Sequence, residues 1–158
     1  MWDVSVGQPM EAVDKRLILI QDDIRKSFGW DLKSDYESAI SLLSNCKSPA
    51  ASIRFESKVT VVGAAAKPDL VTNFPTIVAD GAIGAIADLS KVALLVTDGD
   101  GSPYLERALN CGIPICLHAH GDNNDAWQYV LSIIDDNQEV ILTHQTPGNI
   151  PGMYNPGG

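Results

Sequence analysis

Val92-Ala93-Leu94-Leu95-Val96-Thr97-Asp98-Gly99-Asp100-Gly101 decides the fold. The stretch opens as an apolar, partly β-branched run of strand length. It then breaks into two aspartates separated by glycine. A run that is apolar throughout, rather than alternating, suits a strand covered on both faces of a parallel sheet. In such sheets, chemistry gathers in the loops beyond the carboxyl ends of the strands. Two carboxylates side by side repel each other, and a hard cation is the usual reason to pair them.

Working outward, the same unit recurs. Strand-like runs at Val59–Val62, Thr76–Ala79, Ile113–His118 and Val140–Thr143 flank the central one. Helix-length segments lie between them at Gly81–Leu89, Ser102–Cys111 and Asn124–Asp136. This rhythm predicts an α/β fold with a doubly wound, mainly parallel, Rossmann-like sheet and right-handed crossovers. Residues 1–57 read as an N-terminal helical segment and residues 58–158 as the α/β catalytic core. In the helical segment Pro9 suits a first helical position, and Val13, Leu17, Ile20, Ile24 and Phe28 recur at helical spacing with Gly29 as stop. Ser34-Asp35-Tyr36-Glu37 reads as a capping box, with Tyr36, Ile40 and Leu43 as the apolar stripe behind it. Cys46 to Ser52 reads as a linker. The stretch from His144 to Gly158 predicts no element, and from Gly148 onward it lacks a periodic apolar face and is expected to be mobile or to lean on a neighbouring molecule. The stop at Asn155-Pro156-Gly157-Gly158 leaves open a core truncated at its C-terminus.

Each of the first four predicted strands ends in a small or acidic loop: Gly63, Asp80-Gly81, Asp98-Gly99-Asp100-Gly101 and Gly121-Asp122-Asn123. Asp-Gly alone is an ordinary turn. The aspartate pair is less ordinary, because its repulsion needs offsetting. His118 and His120 alternate, so they point to opposite faces of an extended chain. His118 continues the apolar run and reads as a packed core histidine; His120, beside Asp122, reads as the site histidine. A zinc site would use His118, His120 and His144. The oxygen-rich surroundings fit Mg2+ better.

Composition bounds the partners. Apolar residues make up 45% of 158 residues, an ordinary globular content. Residues 1–57 carry seven Lys/Arg against nine Asp/Glu, and residues 58–158 carry four against eleven, so most of the net charge of −9 lies in the core. Without a basic stripe, no nucleic-acid partner is expected. No apolar run reaches bilayer length, so no membrane partner is expected either. Three cysteines without a CxxC pair and the missing basic-then-apolar leader point to the cytoplasm. Oligomeric state stays open, with room for a homo-oligomer.

Ala79-Asp80-Gly81-Ala82, Val96-Thr97-Asp98-Gly99-Asp100-Gly101 and His118-Ala119-His120-Gly121-Asp122-Asn123, in that order, resemble the archaeal 6-hydroxymethyl-7,8-dihydropterin diphosphokinase family. The first two motifs are also similar to the catalytic loops of thiamine diphosphokinases. The resemblance covers residues 58–158. It implies transfer of diphosphate from ATP, as co-substrate, to a pterin alcohol with Mg2+, releasing AMP, in pterin biosynthesis. It implies catalytic roles for Asp98, Asp100, His120 and Asp122, and metal roles for Asp98, Asp100, Asp80 and Asp122. Gly63, Asp80, Gly81 and Asn123 would contact nucleotide or substrate. Gly99 replaces the family's leucine, which should loosen that loop. The first turn reads Gly63-Ala64-Ala65-Ala66-Lys67 where the family has Gly-x-Gly-Pro-Ser-Leu. A metal-dependent phosphoester hydrolase and a non-catalytic nucleotide- or sugar-phosphate-binding module are the alternatives.

Overall fold

The computed structural model describes residues 15–50, 52–56, 58–100, 103–146 and 149–154. Five strands form one all-parallel sheet in the order β1-β2-β3-β4-β5: Thr60–Val62, Thr76–Ala79, Val92–Thr97, Ile115–Ala119 and Val140–His144. Flanking helices are α1 (Lys15–Phe28), α2 (Leu32–Asn45), α3 (Tyr104–Leu109) and α4 (Asn124–Ile133). The sheet and its helices agree with the expected doubly wound α/β class, with the N-terminal helical segment present. All the pairings are parallel, so the carboxyl ends of the five strands lie along one edge.

Register explains the core. Val62, Val78, Leu95, Ile115 and Val140 are partners across all five strands and share one face. All five are buried, and they join Leu105, Leu109, Trp127, Val130, Ala39 and Leu42 in one cluster. Burial of such side chains contributes roughly 1.5–3 kcal/mol each. The other face is different: Val61 is 73% exposed, and Ile77, Val96, Cys116 and Ile141 are half-buried. The expectation of equal burial on both faces is therefore corrected.

α1 ends as its sequence demands. Gly29 takes φ +69°, and the Gly29 and Trp30 amides donate to the carbonyls of Lys26 and Arg25, a Schellman closure. Ile20, Ile24 and Phe28 do form a stripe, but it is exposed. Pro9 and Val13 lie outside the described residues.

α2 departs from the capping-box expectation. Its cap is Asp31, whose carboxylate accepts from the Lys33 and Ser34 amides at 3.2 and 3.3 Å. The helix is rotated relative to the expected stripe: Tyr36 and Ile40 are exposed, while Asp35, Ser38, Ala39 and Leu42 face inward. Long-range partners select the polar pair, as Ser38 accepts from the Trp127 indole at 3.2 Å and Asp35 reaches the β4 loop.

Beyond β2 the expected helix is instead a 3-10 turn over Asp80–Ala85, with a second at Leu89–Lys91. Gly81 and Gly84 weaken an α-helix here, and the amides of Leu70 and Ala87 donate to the carbonyls of Ala85 and Leu70 and hold the turn short. The tail expectation is corrected for residues 149–154. Ile150 and Met153 are buried, and Tyr154 bridges Thr143 along the open edge of β5. Pro49, in the expected linker, bridges Val140 on the same strand. Both segments occupy backbone groups that an edge strand leaves unpaired. Among the described residues no helix is long and apolar enough to cross a membrane.

Leu95, in the centre of the buried row, sets a clear expectation. Leu95→Ala should cost roughly 2–5 kcal/mol in urea unfolding, whereas Val61→Ala should stay within about 0.5 kcal/mol. Equal losses at the two positions would contradict the one-sided core.

Candidate active site

Gly63, Asp80, Asp98 and Asp122 all fall at the carboxyl edge of the sheet, beyond β1, β2, β3 and β4. The edge is built by hydrogen bonds between loops. The Asp98 amide donates to Asp80 Oδ1 at 3.3 Å, and the Asp100 amide donates to Asp98 Oδ1 at 3.0 Å. The Gly99 amide donates to Thr97 Oγ1 at 3.0 Å. Asp80 itself has φ +42°, an unusual value for a residue with a side chain. Strain of this kind collects at functional sites.

Gly99 is not a loosening substitution here. It has φ +100°, and a Cβ would come within 2.7 Å of the Ala126 carbonyl carbon at the start of α4. The loop and the helix touch at a point where only glycine fits.

The β4 loop closes over this group. His120 Nε2 lies 3.4 Å from Asp98 Oδ2, and its Nδ1 lies 2.5 Å from Asp122 Oδ1. His120 thus bridges a carboxylate from each of two loops, while the Asp122 side chain is 88% exposed. Asn123 is buried, and its polar atoms serve the backbone. Nδ2 donates to the carbonyls of Asp98 and His118, both at 2.7 Å, and Oδ1 accepts from the His120 amide at 2.9 Å. That places Asn123 as the strut of the site.

Electrostatics follow from this crowding. Burial first, then the charges of Asp98 and Asp100, push the Asp80 carboxyl above the usual range against a lowering hydrogen bond from Thr97. Burial holds His118 below its ordinary value. His144 is driven down to about 4 by burial, with its Nδ1 2.8 Å from Thr146 Oγ1 and its Nε2 unpartnered. The three-histidine zinc arrangement is not assembled. His118 pairs with Thr143, and His144 sits one register step on, facing the other side of the sheet. Among the described residues no three His, Cys, Asp or Glu side chains form a ready-made metal cage.

Two cavities open along this edge, one against Asp80 and one against His120 and Asp122. One, of about 340 Å3, is lined by Ala64, Asp80, Gly81, Gly84 and Tyr104, with the Tyr104 ring lying where a Gly84 Cβ would be. The other, of about 410 Å3, is lined by Trp30, Asp31, Asp35, His120, Asp122 and Gln145. Among the described residues no Lys or Arg lines either. The chain matches no protein-family model and no curated protein.

Trp30, Asp35 and Gln145 were not legible as site residues. Asp35 Oδ1 accepts from the Gly121 amide at 2.7 Å and from Gln145 Nε2 at 2.8 Å. These contacts join residues far apart in the chain, and no local spacing announces them. Gly63 lies at the far end of the edge with open space around its α-carbon.

Asp80 gives a pH-dependent expectation. Its folded pKa is raised, so as pH rises through that value the folded state gives up a proton at a cost. Stability is full below the unfolded value and falls with rising pH. Asp80→Asn keeps the acceptor for the Asp98 amide and removes this cost. In metal-free buffer the variant should melt above the wild type at neutral pH, with the advantage shrinking on acidification. A pH-independent difference between the two would remove the electrostatic account.

Proposed function

We propose that the chain is a magnesium-dependent diphosphotransferase, moving diphosphate from ATP to 6-hydroxymethyl-7,8-dihydropterin with release of AMP. The observation that carries the reading is the Asp80–Asp98–Asp100 group, joined by loop amides, with Asp80 lining one cavity and no Lys or Arg among the described residues lining either. The family resemblance supplies the identities of donor and acceptor. The reading places the enzyme in the cytoplasm, with small molecules as its partners.

The donor set fits Mg2+. All the carboxylates are hard oxygen ligands, and Asp80 carries unfavourable charge that a cation would offset. Mg2+ is commonly held by one or two carboxylates together with water and substrate phosphates, so a full protein cage is not required. Asp98 and Asp100 are the residues that would hold it, with Asp80 and Asp122 as further ligands, direct or through water. Once bound, the ion would neutralise charge on the transferred phosphates.

The protein's own part is positioning. The acceptor hydroxyl oxygen attacks the β-phosphorus, a new O–P bond forms, and the bond to the α-phosphate oxygen breaks, releasing AMP. The hydroxyl proton passes to solvent. His120, fixed between Asp98 and Asp122, orients the groups that meet there. Positioning and charge neutralisation carry such transfers, so a strong general base is not needed.

Incubation with MgATP and the pterin alcohol tests the reading. AMP should appear only when both are present, and Asp98→Asn should lower the rate at least about a hundredfold. ADP as product would indicate a kinase. Phosphate released without acceptor would indicate a phosphoester hydrolase, and binding without product a non-catalytic module.

A further inference from the structure

We infer that the cavity beside Trp30 is the acceptor subsite, built for a flat heteroaromatic alcohol rich in N–H donors. This deepens the diphosphotransfer reading and rests on it for the word acceptor. The cavity itself stands on geometry. Its volume of about 410 Å3 is that of a small-molecule pocket. His120 and Asp122 line it, so a ring seated there carries its substituent to the ridge that holds Asp98.

The lining chooses the chemistry. Anions are disfavoured, because the walls hold Asp31, Asp35 and Asp122 and, among the described residues, no Lys or Arg. The amides at the start of α2, which could otherwise cradle a phosphate, already donate to Asp31. A polyphosphate therefore has no partner here. A ring does: Trp30 is 56% exposed, and its indole is braced by stacking on Phe28 at 4.9 Å between centroids. The Schellman closure at Gly29 fixes where that indole stands. Carboxylates around an aromatic wall accept hydrogen bonds from ring N–H groups and amino substituents. The buried Asp35, oriented by Gly121 and Gln145, is the best-fixed of these acceptors. The N-terminal segment thus supplies one wall of the site.

The test is a fluorescence titration of the full chain with 6-hydroxymethylpterin, alongside the melting shift given by MgATP. Wild type should bind the pterin saturably. Trp30→Ala should weaken binding at least tenfold, Trp30→Phe should restore most of it, and Asp35→Asn should weaken it. The MgATP shift should persist in the Trp30 variants. Circular dichroism checks that each variant is folded; should Asp35→Asn fail to fold, the Trp30 pair decides. Equal pterin binding by wild type and Trp30→Ala would overturn the inference. So would displacement of the pterin by adenosine, or no saturable binding at all. Pterin binding that depends on Trp30, without any AMP from MgATP, would leave the subsite standing and reject the reaction instead.

Discussion

The carboxyl edge of this protein hangs on one side chain, the amide of Asn123. The β3 and β4 loops meet through it. Its nitrogen holds the carbonyls of Asp98 and His118, and its oxygen holds the His120 amide. Only a primary amide offers two donors and an acceptor at that reach. An aspartate would turn acceptors toward two carbonyl oxygens, and a serine would be too short. Because the residue is buried, an unmade bond there would carry the full desolvation penalty. The distance between His120 and Asp98 is therefore set by packing and hydrogen bonding in the β3 and β4 loops, before any ligand arrives.

A second carboxylate performs the same service on the other flank. Asp35 points inward from α2, against the usual rule for helices, and holds Gly121 and Gln145. The fit is close: a Cβ on Gly121 would lie 2.9 Å from the Ser34 Cβ. One turn further, Ser38 takes the Trp127 indole hydrogen inside the core. The helix's inward face mixes these polar contacts with Ala39 and Leu42 in the core, while Tyr36 and Ile40 of the expected stripe stay outside. The N-terminal segment is thereby joined to the edge where the loops meet.

These contacts explain what could be read from the sequence. The strands were legible because β-branched runs of strand length carry their own signal: Thr76–Ala79 and Val92–Thr97 fall where the pattern puts them. So was the alignment of Asp80, Asp98 and Asp122 on one edge, which follows from parallel connectivity. The face of α2 was not legible, because its inward residues are chosen by Gly121 and Trp127, each more than eighty positions away. The tail was misread for a related reason. Ile150, Met153 and Tyr154 have no periodicity of their own and acquire order by lying along β5. Asn123 stands in a motif that suggests substrate contact, yet its atoms are consumed by backbone.

The remaining asymmetry is electrostatic. Asp80, Asp98, Asp100 and Asp122 share an edge with His120, and among the described residues neither cavity brings a Lys or Arg. Asp80 bears the consequence, with its carboxyl pushed up by burial and by its neighbours. Burial is the larger cause, and the charges of Asp98 and Asp100 add to it. Loop amides offset part of it, since Asp80 and Asp98 each accept a backbone N–H. They cannot offset a polyphosphate as well. A nucleotide without its cation would meet four carboxylates, and a cation without its nucleotide would find no complete cage. On the proposed reading the two enter as one neutralised unit, and the acidity of the edge becomes a filter that admits phosphate only in that form.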